Sequence, residues 1–384
     1  MKYNIYRLLL RLSQWVTYRL ACLFSIKNKI VATAVVGRRY ADNPKFIYEE
    51  ILRQGLDIEL IWVRDPEWEV KVPKGIRSVS SIIDTMYAYA TAKVIISTTN
   101  YPFAYRKRKG QCVINTWHGG LGIKKMENTE IWGKRLCTVT DVFISNSNFS
   151  SQVFRNAFRY KGPIWKCGYP RNDFLIGEKA GVRNSIREKF GLAKDIRIMI
   201  YAPTFRDYPT KYNPYDIDFN SLLSSLKERD NKEWFILIKY HPNLQYSRNV
   251  KRPNCDHVKD VTSYHDMQEL IAASDALISD YSSCIFDAAL AGLECYIYAN
   301  DFVKYQQERG TYFELHELPF PVATNNSELM SCVKMYNHFE YRKKWAAFSK
   351  EQGLVETGHA SKDIVGKISD YINSGNVSWE NTDI

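Results

Sequence analysis

Two histidines occupy contexts suited to chemistry. His118 lies in Thr116-Trp117-His118-Gly119-Gly120, directly after a β-type apolar run, and Trp-His-Gly-Gly is poor core-filling sequence. An imidazole titrates near neutral pH and is the expected general base for an attacking hydroxyl. Gly119 and Gly120 let a substrate approach the backbone closely. His241 follows Phe235-Ile236-Leu237-Ile238-Lys239-Tyr240 and precedes Pro242, so its ring is expected at a sheet edge rather than on a mobile loop. From there it can donate to a leaving phosphate, with Lys239 or Arg206 neutralising further charge. The plainer alternative for His241 is a hydrogen-bonded structural histidine. His257, His265, His316, His338 and His359 lack such a context and read as structural or surface residues.

A third cluster, Ser279-Asp280-Tyr281-Ser282-Ser283, lies between a β-type run and the apolar helical stretch 284–291. Unpaired backbone donors and the positive end of a helix dipole stabilise a phosphate at such a place. Its plain alternative is an ordinary N-cap that touches no ligand. Recurrence favours the ligand reading: Asn146-Ser147-Asn148 and Pro203-Thr204-Phe205-Arg206 also follow apolar runs. Ligands of open parallel sheets bind outside the carboxyl ends of the strands, which is where all five clusters fall.

The elements that must hold these clusters are short β-branched runs alternating with amphipathic stretches, the pattern of α/β units. Strands are predicted at 30–36, 58–63, 93–97, 112–116 and 141–145, then at 196–201, 234–240, 276–279 and 294–298. Their apolarity implies two mainly parallel sheets covered on both faces. Residues 168–172 read as a loop and 182–190 as a helix, so a domain boundary is placed near residue 175. The expected units are 1–27, 28–175 and 176–384. The stretch 326–374 reads as helical, with its last helix expected to cross back to the first domain.

Residues 1–27 are rich in Leu, Tyr and Trp yet carry Lys2, Arg7, Arg11, Arg19 and Lys27. On a helical wheel Ile5, Leu8, Leu9, Leu12, Trp15, Val16, Leu20 and Leu23 share one broad face, opposite Arg7, Arg11, Gln14 and Tyr18. Arginines interrupt the run that a spanning helix needs, and no signal-peptide pattern is present. An amphipathic helix lying on an anionic membrane surface fits, against the alternative that it packs on the domain.

A chain of 384 residues suits two domains. With 45% hydrophobic and 25% charged residues it is globular, neither disordered nor fibrous. The formal charge of +11, from 53 basic and 42 acidic residues, favours anionic partners. No nucleic-acid-binding module accompanies the Arg106-Lys107-Arg108-Lys109 run, so nucleic acid is not expected as a partner. The eight cysteines have no metal or disulfide spacing and read as small hydrophobes in a reducing compartment. No Asp/Glu/His cluster has evident metal-ligand spacing, so no metal site is expected; Mg2+ can still ride on a phosphorylated substrate.

The clusters, together and in order, resemble the CDP-glycerol glycerophosphotransferases of teichoic-acid and capsule synthesis. The pieces are Asn115-Thr116-Trp117-His118-Gly119, Ile144-Ser145-Asn146-Ser147, Gly168-Tyr169-Pro170-Arg171-Asn172-Asp173, Tyr201-Ala202-Pro203-Thr204-Phe205-Arg206, Lys239-Tyr240-His241-Pro242, Ile278-Ser279-Asp280-Tyr281-Ser282-Ser283, and Tyr305 with Glu308-Arg309-Gly310 and Tyr312-Phe313. They span roughly residues 110–315.

The resemblance implies a GT-B fold of two Rossmann-like domains facing a cleft. It also implies CDP-glycerol as donor, a lipid-linked or glycan polymer acceptor, release of CMP, no required cofactor, and peripheral residence at the cytoplasmic face of the membrane. His118 and His241 correspond to the family's two essential histidines. Gly119, Gly120, Asn146, Thr204, Arg206, Lys239, Ser279, Asp280, Tyr281, Ser282, Ser283, Asp287 and Arg309 are the implied substrate-binding set. The family commonly has Thr-Pro after His-Gly, where this chain has Gly120-Leu121-Gly122 ahead of Ile123-Lys124-Lys125, so the acceptor side is where it departs. CDP-ribitol, a nucleotide-sugar glycosyltransferase and a non-catalytic basic protein are the rival readings.

Overall fold

A computed structural model of the chain describes residues 2–99, 107–126, 139–177, 179–206, 213–241, 244 and 255–375, and the side chains from residue 8 onward. These fall into two compact units. One comprises Met1–Gly120, Asn128–Asp173 and Val355–Ile384, the other Leu121–Glu127 and Phe174–Leu354. The chain therefore leaves the first unit twice, just after His118-Gly119-Gly120 and after Asp173, and returns to it at Asn128 and at Val355.

The first unit holds seven strands: β1 (Lys27–Thr33), β2 (Glu59–Val63), β3 (Ile76–Val79), β4 (Ala92–Ser97), β5 (Cys112–Asn115), β6 (Val142–Ser145) and β7 (Ile164–Lys166). They run in the order β3-β2-β1-β4-β5-β6-β7, every pair parallel. The second unit holds β8 (Arg197–Ala202), β9 (Trp234–Ile238), β10 (Val258–Asp260), β11 (Ala276–Ser279), β12 (Glu294–Tyr298) and β13 (Val322–Ala323) in the order β10-β9-β8-β11-β12-β13, again all parallel. Interior strands such as β5 and β11 are buried at every position, as parallel sheets covered on both faces require.

The last helix among the described residues, Ala360–Ser374, packs in the first unit. It sends Ile364, Val365, Ile368, Tyr371 and Ile372 into the core around Ile30, Ile96 and Ile114. That spacing is one helical face, and burying each aliphatic side chain contributes about 1.5–3 kcal/mol. Its N-terminus is fixed by Asp173, whose carboxylate accepts from the backbone N–H of Ala360 (2.9 Å) and Ser361 (2.7 Å). Burial pushes the Asp173 carboxyl above its usual range, against the lowering effect of those hydrogen bonds.

Helix α1 (Lys2–Ala21) forms as one continuous element. It packs through Tyr18 and Ala21 into the cluster that includes Met86 and Tyr89 of α3 (Ile82–Thr91). Tyr18, placed on the polar side of the wheel, is thus the docking residue: its ring supplies apolar area. Leu8, Leu9, Leu12, Trp15, Val16 and Leu20 are left exposed. No helix among the described residues is long and apolar enough to cross a membrane.

Arg106 lies outside the described residues and Lys109 is exposed, but Lys107 and Arg108 of the same run have internal duties. Lys107 pairs with Asp141, and Arg108 donates to the carbonyls of Phe24 (2.9 Å) and Ala90 (2.6 Å).

Candidate active site

Within the first unit, the loop after β5 is held one carbonyl at a time. Asn43, at the start of α2 (Asp42–Gln54), donates its Nδ2 to the carbonyls of Thr116 (3.3 Å) and Trp117 (3.4 Å). Arg171 donates Nη1 to the carbonyl of His118 (2.9 Å), and the Tyr169 hydroxyl donates to that of Gly119 (3.2 Å). Such fixing offsets the strain of Trp117, whose φ of 51° is left-handed and unusual for a bulky residue. His118 itself is exposed. Its Nδ1 lies 2.7 Å from the carbonyl oxygen of Thr98, at the end of β4. A carbonyl only accepts, so Nδ1 carries the proton and the neutral ring keeps its lone pair on Nε2, the tautomer a general base needs.

Asn146, beyond β6, is buried, and its amide is committed to protein groups. Nδ2 donates to Glu356 Oε1 (2.7 Å), while Oδ1 accepts from the hydroxyls of Ser147 (3.3 Å) and Ser150 (3.2 Å). A Cβ on Gly120 would lie 2.5 Å from that amide, so only glycine fits there.

In the second unit the strand ends converge on two carboxylates. Asp280, after β11, accepts from the Thr204 N–H (2.8 Å) and hydroxyl (2.6 Å) and pairs with Arg206 Nη1 (2.8 Å). Asp301, beyond β12, accepts from Arg206 Nε (2.7 Å) and Nη2 (2.9 Å) and from the Tyr281 hydroxyl (3.0 Å). The Tyr281 ring stacks on Tyr305 at 3.6 Å between centroids, and the Arg206 guanidinium lies about 5 Å from both rings, at 4.9 and 5.1 Å. Burial works against the Arg206 cation, but Asp280 and Asp301 outweigh it and hold the pKa above the ordinary guanidinium value. Burial, then Asp301 and Asp280, raise the Tyr281 phenol, so it stays protonated.

Lys239 is buried too, donating Nζ to the carbonyls of Thr262 (2.7 Å) and Tyr264 (2.6 Å). Ser279 is buried and bonds the Ala202 carbonyl (2.7 Å); Asp287 accepts from Gln268 Nε2 (3.3 Å). His241 is exposed, its ring stacked with Phe205 at 5.7 Å. Pro242, on which the notion of a fixed ring leaned, lies outside the described residues. Ser282 and Ser283 are half-buried, and Ser283 stands at the N-cap of the helix Cys284–Leu290 without using its side chain as the cap. Arg309 is half-buried at the end of the helix Phe302–Glu308.

The expected set thus divides. His118 and His241 are exposed and Gly119, Gly120, Thr204, Ser282, Ser283 and Arg309 are partly open, whereas Asn146, Arg206, Lys239, Ser279, Asp280, Tyr281 and Asp287 lie beneath, bonded to protein. The expectation that Arg206 and Lys239 neutralise substrate charge meets cations already engaged by carboxylates and carbonyls. Thr98, Asn43, Tyr169, Arg171, Glu356 and Asp301 were not singled out as site residues. Asn300-Asp301 follows β12 as the other clusters follow their strands, and that signal could have found it. No group of three or more His, Cys, Asp or Glu that could hold a metal ion occurs among the described residues.

Over 392 residues the chain is 29% identical to the teichoic acid glycerol-phosphate transferase of Staphylococcus aureus, spanning 94% of this chain and 98% of that protein. It is 27% identical to the teichoic acid poly(glycerol phosphate) polymerase of Bacillus spizizenii, with the same coverage. The solved wall teichoic acid polymerase TagF aligns with a TM-score of 0.81 at 27% identity, covering 98% of this chain and 99% of that one. A variant of it soaked with CDPG gives the same score. Residues 16–370 match the family model for CDP-glycerol:poly(glycerophosphate) glycerophosphotransferase, and this chain, an enzyme with two parallel-sheet domains, belongs to that family.

Proposed function

We propose that this enzyme transfers glycerol phosphate from CDP-glycerol to a hydroxyl of a membrane-linked or polymer acceptor in teichoic acid or capsular polysaccharide synthesis. The observation that carries the reading is the 2.7 Å contact of His118 Nδ1 with the Thr98 carbonyl, which makes Nδ1 the donor and so assigns the lone pair of the neutral ring to Nε2. Nε2 takes the proton of the acceptor hydroxyl. That oxygen bonds to the phosphorus bearing glycerol, the bond from this phosphorus to the bridging pyrophosphate oxygen breaks, and CMP leaves with the bridging oxygen. Ser282, Ser283 and the backbone donors of their turn bind the pyrophosphate. His241 stabilises the departing phosphate, and Arg309 adds positive charge. The step asks mainly for alignment and charge stabilisation. Arg206 acts from beneath by fixing Asp280 and Tyr281, and Mg2+ enters, where used, with the substrate.

The reading takes the two units as the halves of a GT-B fold. It places the enzyme peripherally at the cytoplasmic face of the membrane, supported by the exposed Leu8, Leu9, Leu12, Trp15 and Val16 of α1 beside Arg11 and Arg19. The test is CMP release from CDP-glycerol, against CDP-ribitol and UDP-sugars, with lipid-linked acceptors. CMP with a new phosphodiester supports the reading. A nucleoside diphosphate with a new glycosidic bond would sink it.

A further inference from the structure

We infer that Arg171, paired with Asp42, is a positioning residue for His118 and sets the rate of its proton transfer. The inference rests on His118 being the base. Arg171 is buried, and its Nη1 bridges the His118 carbonyl (2.9 Å) and Asp42 Oδ1 (3.0 Å). Its own backbone N–H donates to Asn43 Oδ1 (3.2 Å), the residue whose Nδ2 holds the carbonyls of Thr116 and Trp117. The Asp42 carboxylate also accepts from the Asn43 N–H (2.9 Å), and Asp42 has a left-handed φ of 62°. Arg171 therefore ties together an ion pair, two left-handed residues and the carbonyl of the histidine itself.

The ring of His118 has two anchors. Thr98 holds the ring through Nδ1, the nitrogen next to Cγ, and Arg171 fixes the backbone from which the side chain springs. Removing the second lets the peptide after His118 rotate. The ring then swings about Nδ1 and Nε2 leaves its line to the acceptor oxygen. Misplacement by about 1 Å costs up to about 100-fold in such reactions. Arginine is required because one donor group must serve a carboxylate and a carbonyl in fixed geometry. A lysine ammonium keeps the ion pair but holds the carbonyl loosely.

The test is a double-mutant cycle on the full-length enzyme, read as the turnover number for CMP release with KM for CDP-glycerol measured alongside. Arg171→Ala is expected to lower turnover about 30- to 100-fold and Arg171→Lys about 10-fold, with KM for CDP-glycerol changed less than about threefold. In a His118→Ala background, Arg171→Ala should lower the residual rate less than about threefold, because the residue acts through the lost imidazole. A merely structural Arg171 would lower the rate by the same factor in both backgrounds, and that additivity overturns the inference. So do wild-type rates for both Arg171 variants. Should Arg171→Ala lose its cooperative melt, the cycle is read on Arg171→Lys. A His118→Ala enzyme with undiminished turnover instead removes the base assignment itself, a different failure seen in the first variant measured.

Discussion

Asn146 Nδ2 lies 2.7 Å from Glu356 Oε1, joining positions 210 residues apart. The same carboxylate accepts from Asn172 Nδ2 (2.7 Å) and from the Tyr169 N–H (3.2 Å), while the Val355 N–H donates to the Asn146 carbonyl (2.7 Å). One acidic residue near the end of the chain thus fixes Asn146, against which Gly120 rests, and the turn that carries Tyr169 and Arg171. Glu356→Ala strands three donors and should lower the stability of the first unit by about 2–4 kcal/mol, given about 1–3 kcal/mol for each buried group left unpaired and partial relaxation. Glu356→Gln should lose about half as much, as thermal and urea unfolding would show.

Gly120→Ala places a methyl group 2.5 Å from the Asn146 amide. The loop carrying His118 must shift. Turnover should fall about tenfold or more while the protein remains folded, a comparison that steady-state CMP release and a melting curve make together. An alanine enzyme with wild-type rate would show that the loop tolerates displacement.

His118→Ala and His241→Ala should each lower turnover by about 100-fold or more, the usual effect of removing a positioned base or charge stabiliser. Both side chains are exposed, so neither variant should melt more than a few degrees early. Near-normal CMP release by either folded variant would remove the role assigned to that residue.

Breaking the buried pair by Asp301→Asn should destabilise the second unit by about 3–5 kcal/mol, because Arg206 loses a charged acceptor and cannot reach water. Calorimetry of the variant against the parent measures the loss.

Burial pushes the Cys284 thiol from 9.0 up to about 11, and the Cys167 thiol up to about 12. Both shifts favour the protonated form in the folded state. They contribute stability that is fully present below pH 9 and is lost as pH rises through the shifted values. At pH 7.5 fewer than about one in a thousand of these groups is thiolate, so iodoacetamide should spare both in the native enzyme and label both after unfolding. Rapid native labelling of Cys284, next to the serine pair, would contradict this.

Replacing Leu8, Leu12 and Trp15 of α1 together with serine should abolish most co-sedimentation with anionic vesicles while leaving CMP release from a water-soluble acceptor intact, since these side chains are exposed and make no core. Unchanged sedimentation would refute the membrane role of this face.

Sequence alone determined the central architecture. All nine strands expected from apolar runs are present as β1, β2, β4, β5, β6, β8, β9, β11 and β12, with ends shifted by up to a few residues. Val35 and Val36 continue the apolar run of β1 but take left-handed φ values, so that strand stops at Thr33. The four unexpected strands, β3, β7, β10 and β13, are the four sheet edges. Central parallel strands are buried on both faces and announce themselves as hydrophobic runs. Edges such as Val258-Lys259-Asp260 are short and half-wet, and pair because a neighbour offers a ladder. Helix ends were similarly local: 168–172 reads as a loop, yet the helix Pro170–Ile176 begins inside it, proline suiting a first turn.

The site divides by the same rule. Residue type and strand-end position were enough to single out His118, His241 and the serine pair, because chemistry is a property of the side chain. Which polar residues stay open was decided by the tertiary structure. Arg206 faces Asp280 and Asp301, residues 74 and 95 positions away, and Arg171 reaches Asp42 and the His118 carbonyl across 129 and 53. Partners that distant are set by how the sheets bring strand ends together, and the need to satisfy every buried charge and carbonyl gives Arg206 and Lys239 partners within the protein.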